Sequence, residues 1–361
     1  MPTIETPALA RLLPKIDLHC HLLGAIDSTT ALSLVDGNPA GVSVDDVRAA
    51  YALDDLDRDE REPAFFKALD LVALLLNTPD DLAAAVYGLV SHGVRENNLR
   101  YLELAVNPSV LMRTGMSFKQ VGDGLVAGAR AAQADHGVTT NFIAAIMRDE
   151  PVSFAEGLLD NMIDYRLDEF IGIGLDGPES EEHHKPAHFA GVYRRAKANG
   201  FKRTAHYCQF GASQFQVYTD DLECDRIDHG YQVVDEPGVL RKAVDSGLAF
   251  TVCPTITMQL SGASQPEYQS GETHPLRTMH NNGVWIVPGT DDGAMAHTDI
   301  STEYALTADW CGWNAGELTR AVVDNVEATW LDPVDKARLR QDMQAEIAAL
   351  AASVTTVEVQ A

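Results

Sequence analysis

Eight short apolar runs separated by helical patterns along 361 residues predict a closed (β/α)8 barrel with a helical insertion over its mouth. Three observations carry that prediction. The strand-like runs lie near 15–19, 100–106, 140–147, 170–175, 203–207, 226–229, 248–253 and 284–289, and strands that alternate with helices build parallel sheets. The length suits one large α/β barrel or two ordinary domains, and 45% hydrophobic residues support a sizeable core. No glycine-rich phosphate loop follows the first run, which argues against a doubly wound open sheet.

The first run, Lys15-Ile16-Asp17-Leu18, ends in His19-Cys20-His21 before Gly24. Side chains two apart on a strand share a face, so both imidazoles can aim at one point while Cys20 faces the helix layer. The connection to the second run is too long for one crossover helix. Residues 28–98 therefore read as a cap, in which Phe65, Phe66, Leu69, Leu71, Val72, Leu74 and Leu75 serve core packing, a pocket lining, or both. Within it, 78–97 is the clearest helix. Thr78 suits the N-cap, Pro79 the first turn, and Asp80 and Asp81 the positive end of the dipole. Leu82, Val86, Leu89 and Val90 then recur at helical spacing. The fifth run ends at His206, the sixth at His229, and the eighth is followed by Asp291-Asp292. An Ala-rich helix starts near Ala345, and residues 353–361 read as a loose tail on a single domain spanning 1–361.

The formal net charge is −26, which disfavours nucleic acid and anionic membrane as partners and leaves a small molecule as the expected one. Self-association into a homo-oligomer is compatible with such a chain. The five cysteines lack CxxC spacing and are odd in number, pointing to a reduced, cytoplasmic setting. Neither a signal peptide nor a bilayer-spanning apolar run is evident.

In a (β/α)8 barrel the reactive groups sit at the C-terminal ends of the strands. Those positions here carry His19, His21, His206, His229, Asp291 and Asp292. Three imidazoles and a carboxylate make a nitrogen/oxygen set that suits zinc and leaves a position for water. The acidic run Glu181-Glu182-His183-His184-Lys185 reads instead as a solvated loop, and Cys208 as filler.

The chain resembles the adenosine deaminase family of metal-dependent hydrolases, in the amidohydrolase superfamily. The resemblance runs from Pro14 to Leu331. It rests on Pro14-Lys15…His19-Cys20-His21-Leu22…Gly24, Arg100-Tyr101…Glu103…Pro108 and Gly172-Ile173…Leu175…Gly177…Glu179. It continues through Thr204…His206, Arg226-Ile227…His229-Gly230, Cys253-Pro254-Thr255, His274-Pro275-Leu276 and Thr290-Asp291-Asp292. It implies one zinc ion per chain, held by His19, His21, His206 and Asp291. His229 would orient the attacking water, Asp292 would hydrogen-bond the substrate ring, and the N–H of Gly177 would meet another ring nitrogen.

Four positions depart from the family pattern. Gln209 stands where the family has the glutamate that protonates the purine ring, and a glutamine carries no ionisable proton. Leu23 replaces an acidic residue that contacts a sugar 5′-hydroxyl. Gly174 replaces an aspartate, with Asp176 two positions along, and Asp228 replaces a glycine. Asp176, Cys208 and Asp228 are the candidates for a substitute acid. Asp176 and Leu23, with Gly177 and Asp292, are the expected substrate contacts, and His229, Gln209 and Asp292 the expected catalytic set. The expected activity is hydrolytic attack on an sp² carbon of a purine-like or related nitrogen heterocycle, releasing ammonia or cleaving a C–N bond, with ordinary adenosine a poor substrate. The alternatives are a hydrolase of a non-nucleoside cyclic amide or amidine, and a catalytically silent metal-binding protein.

Overall fold

The computed structural model describes residues 5–177, 185–208, 211–262 and 265–360, with side chains of the last helix described to residue 353. Gln209 and the run 181–184 therefore lie outside the described residues, as does Glu179. The strands are β1 (Lys15–His21), β2 (Leu99–Val106), β3 (Thr139–Met147), β4 (Phe170–Asp176), β5 (Lys202–Arg203), β6 (His206–Tyr207), β7 (Ile227–His229), β8 (Ala249–Val252) and β9 (Trp285–Pro288). Every pairing is parallel, in the orders β1-β2-β3-β4-β5 and β6-β7-β8-β9.

β5 and β6 are the two halves of one barrel strand, parted at Thr204-Ala205. Hydrogen bonding continues through the break: Thr204 N donates to Ile173 O at 3.0 Å, and Asp228 N donates to Ala205 O at 3.1 Å. The circle closes where Asp291 N donates to His19 O (2.7 Å) and His21 N donates to Asp291 O (2.9 Å). The result is a (β/α)8 barrel. Each expected strand-like run is one of its strands.

Along β1 the residues alternate as the pleat demands. Ile16 and Leu18 pack outward with Leu9, Leu13 and Tyr304, and Cys20 joins the other outer cluster. Asp17, His19 and His21 point inward. At the barrel floor Arg226 Nη1 donates to Glu103 Oε2 at 2.6 Å and Nη2 to Leu18 O at 3.0 Å, while its guanidinium lies 4.1 Å from the Trp330 ring centroid. Glu103 also accepts from Tyr101 Oη and Trp330 N. Tyr101, Glu103 and Arg226 of those motifs thus form a buried polar plug beneath the site, whereas Arg100 pairs with Glu346 on the last helix.

The insertion divides in two. Helix Pro79–Asn97 begins at Thr78, whose side chain accepts from Asp81 N in a capping box, and ends at Asn98 in a left-handed conformation. It packs in the outer ring on helix Phe118–His136. A Cβ on Gly124 or Gly128 of that partner would lie 2.5 or 2.4 Å from a carbonyl oxygen of Pro79 or Ala83, so glycine sets the close approach. The preceding helices Leu22–Ala25, Ser28–Ser33, Val44–Ala50 and Arg58–Leu75 lie between β1 and that helix. In Arg58–Leu75, Phe65, Phe66 and Leu69 line the central cavity, whereas Val72 and Leu75 are buried in the core and Leu74 is exposed. At the far end, the last helix runs over Pro333–Gln360.

Candidate active site

The site lies at the C-terminal ends of β1, β4, β6, β7 and the turn after β9. β1 delivers His19 and His21 on one face. His206 opens β6. His229 ends β7 in the left-handed region at φ 62°, and Asp291 follows β9 at φ 57°. Non-glycine residues in that region cost of order 1–3 kcal/mol and persist where the surroundings enforce them. Here the enforcement is visible for Asp291, whose main chain closes the barrel on β1. Gly24 is needed for a second reason: a Cβ there would lie 2.0 Å from Asp292 Oδ1.

Side-chain nitrogens and oxygens of His19, His206, His229 and Asp291 lie within 4.8 Å of one another, and those of His21, Asp176 and His206 form a second such group. His19 Nε2 is 3.2 Å from His206 Nε2. His21 Nε2 is 3.5 Å from Asp291 Oδ1, and His229 Nε2 is 3.3 Å from Asp291 Oδ2. The rings are held from behind. The Thr251 hydroxyl donates to Asp228 Oδ1 at 2.8 Å, so the 2.8 Å contact between His19 Nδ1 and that hydroxyl oxygen requires a proton on Nδ1. His206 Nδ1 faces two acceptors, Asp176 Oδ1 at 3.1 Å and Leu175 O at 3.2 Å. His21 Nδ1 faces Asp176 Oδ2 at 3.2 Å.

Burial lowers the His19 pKa to about 3, so its ring is neutral. Burial also opposes charge on His21 and His206, but the Asp176 carboxylate outweighs it and raises both. Asp176 and Asp291 are themselves held well below the usual carboxylate range: burial pushes each up, and the histidines around each overcome it. Asp292 is the opposite case. Burial, with Asp291 adding to it, lifts its carboxyl well above the usual range, and its Oδ1 has no hydrogen-bond partner among the described residues.

His19 and His206, each backed at Nδ1 by an acceptor, turn Nε2 toward each other at 3.2 Å, a spacing that two ligands of one ion also take. His21 Nε2, buried and without a hydrogen-bond partner, is a third unused donor beside the Asp291 carboxylate. The donor set therefore fits a divalent metal ion, and a buried ligand left unpaired is costly.

Above these groups lies a cavity of about 270 Å³. His21, His206, His229, Asp291 and Asp292 form its base, and Leu23, Phe65, Phe66 and Leu69 from the inserted helices line one side. Gly177, Asn107 and Asp176 line another, and Tyr231, Ile256, Leu260 and Tyr268 a third. Gly177 adopts φ +90°, a conformation that disfavours any side chain.

Residues 14–346 match the adenosine deaminase family. The chain belongs to the adenosine deaminase family. It is 28% identical to adenine deaminase of Cupriavidus necator over 331 residues, covering 91% of this chain and 90% of that one. An adenine deaminase from Rhodospirillum rubrum is 28% identical over 354 residues, covering 95% and 98%. Among solved structures, an amidohydrolase from Burkholderia ambifaria with bound zinc is 28% identical with a TM-score of 0.87, covering 99% of this chain and 96% of that one. The N6-mAMP deaminase of Arabidopsis shares the fold, with a TM-score of 0.81 at 22% identity and coverage of 93% and 99%. As a family member this chain is a hydrolase acting on C–N bonds other than peptide bonds.

For a member of the adenosine deaminase family, its residues fall unevenly against the expectations. His19, His21, His206, His229, Asp291 and Asp292 come together, and Leu23 and Gly177 line the cavity. Asp176, expected as a substrate contact, lines the cavity and is also engaged from behind. Its two oxygens are engaged by His21, His206 and Asn107, whose Nδ2 donates to Oδ2 at 3.1 Å. Asp228 lies beneath the histidines at 3.9 Å from His19 Nδ1, outside the cavity lining, which removes it as a proton donor to a cavity-bound ring. Cys208 is half-buried at the cavity wall. Thr251 and Asn107 were missed by sequence reasoning. Neither lies in a recognisable motif, and each acts through a neighbour on another strand. No helix among the described residues is long and apolar enough to cross a membrane.

Proposed function

We propose that this protein is a zinc-dependent deaminase of a purine-like amino-heterocycle, with one ion per chain held by His19, His21, His206 and Asp291. The observation that carries the reading is the convergence of bare Nε2 atoms and the Asp291 carboxylate under a ring-lined cavity. A bound zinc ion lowers the pKa of water to about 7 and so supplies a nucleophile at neutral pH.

The division of labour between His21 and His229 follows from their backs. His21 is anchored at Nδ1 by Asp176 and presents Nε2, as a ligand must. His229 Nδ1 has no hydrogen-bond partner among the described residues, and its Nε2 addresses Asp291 Oδ2. His229 is then the base that orients the attacking water and takes its proton. The protonated carboxyl of Asp292 donates to a ring nitrogen, and the N–H of Gly177 meets another. Leu23, 5% exposed in a short helix at the cavity wall, offers no partner for a sugar hydroxyl, so a free base or a non-ribosyl heterocycle suits the cavity better than a plain nucleoside. Relatives named adenine deaminase are consistent with that preference. Gln209 reads the ring by a hydrogen bond and does not supply a proton.

The test is metal analysis of the purified protein and of His19→Ala, His206→Ala and Asp291→Ala. The native chain should hold close to one zinc ion, and each variant should lose it together with turnover. Full occupancy in all three variants would overturn the ligand set.

A further inference from the structure

Asp176 is the last residue of β4, at the barrel mouth, and shares a face of that strand with Gly174 two positions before it. A Cβ on Gly174 would meet Ile143 Cγ2 at 3.4 Å and Asp176 Oδ1 at 3.7 Å in ordinary contact. The Asp176 side chain reaches three strands. Oδ2 is 3.2 Å from His21 Nδ1 on β1 and accepts from Asn107 Nδ2, just past β2, at 3.1 Å. Oδ1 is 3.1 Å from His206 Nδ1 on β6.

We propose that Asp176 is a positioning residue: a strap that joins the rings of His21 and His206 across the barrel and fixes both as Nδ1–H tautomers, so that both bare Nε2 atoms are delivered to one ion. This rests on the reading of those two histidines as metal ligands. A carboxylate is required because both facing groups are donors. An amide would accept from one ring and set its own NH2 against the other. The two rings do not depend on the strap equally. His206 Nδ1 keeps Leu175 O at 3.2 Å if Asp176 is lost, whereas Asp176 is the acceptor facing His21 Nδ1. His21 should therefore be the ring released. Asn107 completes the strap by fixing the carboxylate from the β2 side.

The experiment measures zinc dissociation under a chelator from the loaded native chain, Asp176→Asn and Asn107→Ala, with the melting temperature of each metal-free form and the ring N–H resonances of ¹⁵N-histidine-labelled protein. Loss of an outer partner of a ligating histidine costs about 10–100-fold in metal affinity. Asp176→Asn should release zinc faster by about that factor and shift the ring N–H resonance of whichever histidine, His21 or His206, then meets the amide NH2, while its metal-free form melts with the metal-free native chain. Asn107→Ala should fall between the two. Should Asp176→Asn fold poorly, Asn107→Ala, which leaves the carboxylate in place, carries the test. Native release rates in both variants, or unchanged resonances of both His21 and His206 in Asp176→Asn, overturn the strap. His21→Ala and His206→Ala separate the two readings. If they keep full zinc, the ligand assignment fails. If they lose it while Asp176→Asn holds it as the native chain does, only the strap fails.

Discussion

His21 and His229 both touch the Asp291 carboxylate, yet they answer to different neighbours. The ring of His21 is tied from behind by Asp176, and that of His229 by no side chain among the described residues. His229→Ala should therefore leave most of the zinc bound while cutting turnover by about 10²–10⁴, the usual worth of a general base. Metal analysis beside steady-state rates checks this, and near-native turnover would take His229 out of the reaction. Gln209 makes the second prediction at this scale. Losing an acid–base glutamate removes about the same factor, so the native chain should turn over adenosine poorly and Gln209→Glu should raise that rate. Efficient adenosine deamination by the native chain would show that another group delivers the proton. The pair His19/His21 was legible in sequence because strand alternation forces two positions apart onto one face. Thr251 and Asn107 were not legible, because what they do depends on which side chain of another strand they meet. The same holds for Asp176, whose type was evident but whose partners were not.

At the scale of elements, the plug of Arg226, Glu103 and Trp330 holds the barrel floor below the site. Both charges are almost wholly buried, with side-chain exposures of 1% and 0%. Removing one partner of such a pair strands the other, so Arg226→Met should destabilise the fold by about 3–5 kcal/mol. Denaturant titration measures it, and a loss under 1 kcal/mol would mean that water reaches Glu103. The pH dependence belongs to the helix Ile300–Cys311. Burial lifts its Glu303 from the ordinary 4.5 to about 7, against hydrogen bonds from Thr255 and Thr298. Between those values the unfolded chain has released a proton that the folded chain keeps, so stability falls as pH rises from 4.5 through 7. Asp17, raised by burial to about 7, acts in the same direction. His19 and His274, both lowered by burial to about 3, act the other way up to about pH 6.5. The prediction is therefore a difference between chains: as pH rises from 5 to 7.5 the melting temperature of Glu303→Gln should fall less, or rise more, than that of the native chain, and equal slopes would contradict it. The eight strands and the helix 79–97 were readable because alternation, capping and apolar period agree locally. The parting of the fifth strand at Thr204-Ala205 was not, since it is set by hydrogen bonds to β4 and β7.

At the scale of the whole molecule, the barrel brings strand ends far apart in sequence to one point, and the inserted helices roof that point with Leu23, Phe65, Phe66 and Leu69. The histidines and aspartates were visible in sequence as a set because the barrel fold gives every strand end the same destination. The shape of the roof was not, because it depends on which face of helix Arg58–Leu75 turns inward. The most direct test of the account is release of ammonia or amine by the zinc-loaded protein from a panel of adenine, N6-substituted adenines and adenosine, followed through chelation and zinc re-addition. The account predicts release from a free base or substituted base in preference to adenosine, abolished by the chelator and restored by zinc. Release that persists after complete metal removal, or none from any heterocycle at full zinc occupancy, would contradict it.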